Sequence, residues 1–240
     1  NAKVRIEEFT VRSPQLNFYD PEVELLVGQA KWLRPQSRFE IPSATLSGQT
    51  IGAGVEPLVV AWSEEGELSE LNGIVAVRTT LDRIQQWTTA TVTEPPAWMF
   101  RGNLTGRSSF RTAEGKMLFD ADSSVEQFAA YHQSGKKLEE PKIRLTARGQ
   151  YDPAANVIQL QTAKLESGLL GAGATGKVDL GKDRPRIDLD GQYQYDLVRL
   201  SELGRTHLGV PLFAAGHDTK PFSYHGPLSL VEAEAGLDLK

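Results

Sequence analysis

The run "PRIDLDGQYQYDL" at 185–197 alternates strictly. Ile187, Leu189, Gly191, Tyr193 and Tyr195 fall on one side, and Arg186, Asp188, Asp190, Gln192 and Gln194 on the other. A period of two marks a β-strand with one dry and one wet face. "KIRLTARGQY" at 142–151 repeats it, with Ile143, Leu145 and Ala147 opposite Lys142, Arg144 and Thr146. "GKMLFDADS" does so again, with Met117, Phe119 and Ala121 opposite Leu118, Asp120 and Asp122. Turn residues at "SEEGE", "TAEGK", "YDPAAN" and "GKDRPR" separate such runs at short intervals. Gly, Pro, Asp and Asn supply hairpin backbone angles, so neighbours in sequence are expected to pair in space. The predicted fold is mainly β: an antiparallel meander forming an open, curved, groove-like sheet with about three short helices. Residues 1–240 are read as a single β-rich segment.

The helices are expected where apolar residues fall three apart. The trios are Leu81, Ile84 and Trp87; Val125, Phe128 and Tyr131; and Leu197, Leu200 and Leu203. Thr80, Ser124 and Asp196 precede them as candidate N-caps. Helices this short are marginal alone, so each is expected to brace the dry face of the sheet.

Composition excludes several classes of protein. Lys+Arg 26 against Asp+Glu 31 leaves net −5, with both signs mixed along the chain. No basic patch for nucleic acid stands out. Cysteine is absent, which removes disulfides and thiolate metal sites. No apolar run approaches the ~20 residues of a membrane-spanning helix. The opening "NAKVRIEEF" carries neither Met nor a signal peptide, so the chain is read as a slice of a longer, repeat-built protein. Any membrane association would run through parts outside it.

Candidate chemistry is sparse. His132, His207, His217 and His225 lack the i, i+4 spacing of a helical zinc site, and are read as loop histidines. Asp120 with Asp122, and Asp188 with Asp190, share faces as a glycosidase pair would, but on the wet side, where charges are usually just solvated. "GAGATG" at 171–176 satisfies G-x-G-x-x-G, yet a strand follows instead of a helix, so its glycines read as bulges or bends. Trp32, Trp62, Trp87 and Trp98 suit either a sugar platform or filling of the dry face. No catalytic residue, metal or cofactor is assigned, and the chain is read as a non-enzyme of undefined oligomeric state.

The order of these elements resembles the AsmA-like superfamily of bacterial envelope proteins, with its TamB and YhdP types. The resemblance rests on "LNGIVAVRTTLDRIQQW", "LDGQYQYDLVRLSELG" and the tail "KPFSYHGPLSLVEAEAG". It implies a membrane-anchored periplasmic protein whose long β-trough carries phospholipid toward the outer membrane. On that reading Ile143, Leu145, Ile187, Leu189, Tyr193 and Tyr195 line the groove and meet acyl chains. The alternative is that the same residues close on one another, as in a secreted β-sandwich binding module for carbohydrate or protein.

Overall fold

The computed structural model describes residues 2–13, 16–66, 68–89, 96–181, 185–203, 216–227 and 237–239. The chain is mainly β, and its strands form one antiparallel ladder that follows chain order almost throughout. Among the described residues the first and last strands each pair on one side only, so the ladder is open. Two compact units divide it: residues 1–112 with 123–139, and residues 113–122 with 140–240.

Unit 1 contains β1 (Ala2–Ser13), β2 (Leu16–Gly28), β3 (Lys31–Leu33), β4 (Arg38–Ile41), β5 (Ser43–Gly48), β6 (Ile51–Trp62) and β7 (Leu68–Thr80). Helix α1 (Leu81–Thr89), most of β8 (Trp98–Ala113) and the latter part of β9 (Lys116–His132) complete it. The short β3–β4 hairpin leaves the main path, with β4 pairing onto β6. The buried hydrophobic side chains described here are Phe18, Val23, Ala61, Trp87, Ala129 and Ala130. Trp87 packs on Phe18 at 4.6 Å between ring centroids, and Phe18 on Phe9 at 5.6 Å. Thus α1 meets β2 through its tryptophan.

An acid is buried in the same unit. Asp20 is 0% exposed. Its carboxylate accepts hydrogen bonds from the amides of Glu22, Gln49 and Thr50 and from the Thr50 hydroxyl, at 2.7–3.2 Å. Burial alone would raise its pKa, but these bonds, led by those from Thr50, hold it below the usual carboxylate value. A Cβ at Gly48 would collide with this carboxylate, so glycine there makes room for the acid that fixes the β5–β6 turn.

Unit 2 takes the first part of β9, most of β10 (Lys137–Asp152), then β11 (Val157–Glu166), β12 (Leu170–Asp179) and β13 (Arg186–Asp196). Helix α2 (Leu197–Leu203), β14 (His217–Pro227) and β15 (Leu237–Leu239) follow. Asp196 caps α2, its Oδ1 accepting from the amides of Val198 and Arg199 at 2.8 and 3.2 Å. A buried acid recurs at Glu140, 4% exposed. It accepts from the Gly168 amide at 3.0 Å and pairs with Arg199 at 3.2 Å, tying α2 to the β11–β12 turn.

The helix expected at Val125, Phe128 and Tyr131 does not form; these residues belong to β9. The spacing that imitated a helix comes from a β-bulge. Glu126 and Gln127 are successive exposed residues, and Gln127 adopts φ 56°. The extra residue puts Val125 and Phe128 on the same side of the strand, where alternation alone would oppose them. Phe128 stacks on Phe100 at 6.3 Å, and both Val125 and Phe128 press against Gly102, where φ is 142° and a Cβ would meet Val125 at 2.7 Å. Ser124, expected as a cap, instead bonds Thr105 across the strands at 3.0 Å.

Candidate functional site

The six residues predicted to line a groove all lie in unit 2, and strand register shows how they are arranged. One cross-strand row runs Leu145–Leu165–Ala172–Tyr193, and another Tyr151–Ile158–Val178–Ile187. Between them lie Gly149–Leu160–Gly176–Leu189–Tyr224 and Ala147–Ala163–Ala174–Gly191–Phe222. Directly opposed residues share a face, so the rows form one apolar surface across β10–β14. Ile143 joins it by alternation from Leu145, and Tyr195 by alternation from Tyr193. The structure therefore brings the predicted residues onto one face.

That face has little cover among the described residues. Among the described residues, unit 2 contains no buried hydrophobic side chain. Leu145 is 50% exposed, and Ile143, Ile187, Leu189, Tyr193 and Tyr195 are half-buried. Glycines shape the surface. The Phe119 ring lies over Gly149 and the Phe222 ring over Gly191, each 2.9 Å or less from where a Cβ would sit. Two ladder irregularities, at Arg148/Gly149 and between Leu160 and Ala163 beside Gly176, fall within these rows. The glycines of "GAGATG" lie in β12, and the next described element is the strand β13.

One end of the face is polar. Tyr193 stacks on Tyr195 at 5.8 Å, and the Tyr195 hydroxyl donates to Asp218 at 3.2 Å. Lys220 reaches the same carboxylate at 3.4 Å. Desolvation and then the Asp218 contact raise the Tyr195 pKa. Desolvation pushes Asp218 upward, but the Tyr195 and Lys220 contacts outweigh it and lower its pKa.

The opposite face is laced with charge. Arg144 forms a two-pronged bond to Asp122 at 3.1 and 2.6 Å, and Arg148 holds Asp120 at 2.5–2.9 Å. Lys177 and His225 both reach Asp188 at 3.3 Å, and Ser223 donates to Asp190 at 2.7 Å. Hydrogen bonds from Arg144 lower the Asp122 pKa, and those from His225 and Lys177 lower that of Asp188. For Asp122 and Asp188 this is the reverse of the shift a general acid needs, and both stand in cross-strand ion pairs.

The remaining candidates scatter. His132 lies tilted against Trp98 at 4.8 Å, His217 faces Asp196 across β13–β14, and His207 lies outside the described residues. Among the described residues no three metal-ligating side chains converge. Trp32 is 53% exposed and stands 6.1 Å from Trp62. Of the braces, Leu81 and Ile84 are half-buried in α1; the side chains of Leu200 and Leu203 lie outside the described set. Asp20, Glu140 and Arg199 were not singled out by sequence, because a buried acid in a strand reads like any wet-face residue. No protein-family model, curated protein or solved structure matches this chain.

Proposed function

We propose that this chain is a segment of an AsmA-like envelope protein, acting in the periplasm without catalysis. It holds phospholipid acyl chains on the apolar face of β10–β14 and serves lipid transport or outer-membrane maintenance. The supporting observation is that unit 2, with its continuous apolar rows, has no buried hydrophobic side chain among the described residues. Each methylene moved from water onto such a face gains about 0.8 kcal/mol, so an acyl chain binds it without any specific polar contact. Even, unspecific attraction also suits a lipid that must slide onward. The full-length protein supplies the membrane anchor.

The test is to purify the chain without detergent, extract it with organic solvent and weigh the extract by mass spectrometry. Co-purifying phospholipid in near-stoichiometric amount is expected. Protein that emerges clean, and takes up no fluorescent fatty acid afterwards, defeats the proposal. A second reading, a carbohydrate or protein-binding module, draws on the exposure of Trp32; binding on a glycan array together with lipid-free protein would favour it.

A further inference from the structure

The β3–β4 hairpin leaves the main path of the ladder, which runs from β5 to β6 without it. It is attached to the second half of β6, through the β4–β6 register and a bond from the Trp62 amide to the Ser37 carbonyl at 3.0 Å. What the hairpin adds to unit 1 is a tryptophan. Trp32 is 53% exposed and lies 6.1 Å from Trp62, itself 37% exposed. Trp62 opposes Leu68, 54% exposed, so Leu68 shares that face. The row Trp32–Phe39–Val60–Leu71 extends the apolar patch. Exposed apolar side chains gathered in this way mark contact surfaces, and tryptophan is among the side chains that most often carry their binding energy. The two rings are inclined at 50°, so together they form a wedge instead of one flat platform for a sugar.

Charge accompanies the patch, sorted by sign. Lys31 and Arg34 come with the hairpin, and Glu64 and Glu65 with the turn that follows Trp62. Among the described residues none of these four side chains has a hydrogen-bond or ion-pair partner, whereas the neighbouring Arg38 holds both Glu40 and Glu70. A patch bearing one sign would repel its own copy. This one carries both signs on separate elements, joined by the tryptophan pair. In a two-fold contact residue i meets j and j meets i. The basic hairpin of each copy then reaches the acidic turn of the other, while the tryptophans meet near the axis. We infer that this face is a self-association surface, covered by a second copy of this chain. The charges set the orientation, and burial of Trp32, Trp62 and Leu68 supplies the affinity.

This surface does not depend on the apolar face of unit 2. Sedimentation velocity of the whole chain over a concentration series should show a dimer that dissociates on dilution and weakens with added salt. Trp32→Ser should loosen it roughly thirtyfold, the loss of a central contact residue. Charge reversal tests the orientation. Lys31→Glu with Arg34→Glu leaves acid facing acid, and Glu64→Lys with Glu65→Lys leaves base facing base, so each variant alone should run as a monomer. Mixed in equal amounts they should pair, because each carries the sign that the other lacks. All four changes in one chain should restore the self-dimer. Recovery in the mixture also shows that the reversed chains are folded. A parent that stays monomeric at every concentration overturns the inference. So does a dimer indifferent to Trp32→Ser, a mixture of reversed variants that fails to pair, or a monomer that binds glycan through Trp32. A dimer free of co-purified lipid would sink the proposed function and leave this surface standing; lipid on a strict monomer would do the reverse.

Discussion

Units 1 and 2 each place a short helix directly after a strand, yet they use it differently. In unit 1, α1 drives Trp87 onto Phe18, and both rings are buried. In unit 2, the described anchorage of α2 is polar. Asp196 caps it, and the buried Glu140 draws in Arg199. An apolar brace consumes the surface it covers, whereas a polar tether positions a helix and leaves apolar surface free. Both units also bury one carboxylate at a turn, Asp20 at β5–β6 and Glu140 at β11–β12. Without a thick core, directional bonds from backbone amides do more of the work of fixing the chain.

The largest expected effect separates the units by their cores. Trp87→Ala should destabilise unit 1 by about 3–5 kcal/mol, the usual cost of emptying a buried aromatic site. Hydrogen exchange should then rise in β2 and α1 while β10–β14 stay protected; an equal loss in both units would mean they do not respond separately. Next, Glu140→Ala should cost about 2 kcal/mol, from lost charge-assisted bonds. The exchange increase should fall on α2 and the 167–170 turn, and leave β2 unchanged.

Acid sharpens the same contrast. The folded pKa of Asp20 lies below its unfolded value near 3.9, so its stabilisation is complete above that value and lost as pH falls through the folded pKa. Protection of the Gln49 and Thr50 amides should therefore begin to fall below about pH 4 and be lost at lower pH. Asp20→Asn should flatten that dependence and lower protection at neutral pH; an unchanged acid profile in the variant would remove Asp20 from the account. Smallest of all, removing the exposed Arg144–Asp122 pair should leave the melting temperature almost unmoved, since solvent screens such bonds. A large drop would assign the wet face a structural weight this account denies it.

Much of unit 2 was readable from alternation, because each strand there keeps one dry and one wet side. "PRIDLDGQYQYDL" and "KIRLTARGQY" became β13 and β10, and their dry residues share a face. The second helical trio misled because a bulge at Gln127 and a helical turn both bring residues three apart together; Gly102, which accommodates the bulge, lies on another strand. The buried acids were hidden for the same reason. Gly48 and Gly168 make space for Asp20 and for the Glu140–Arg199 pair, but only register brings each glycine beside its acid. Trp32 and Trp62 belong to different strands and meet only once β4 pairs with β6.

Photo-crosslinking tests the uncovered apolar face most directly. A photoreactive residue would replace Leu145 or Leu189 on the dry rows, and Arg148 or Gln192 on the charged side, before the protein is exposed to phospholipid. The account predicts lipid adducts from the first pair and none from the second. Equal labelling of both sides, or labelling confined to Arg148 and Gln192, would contradict it.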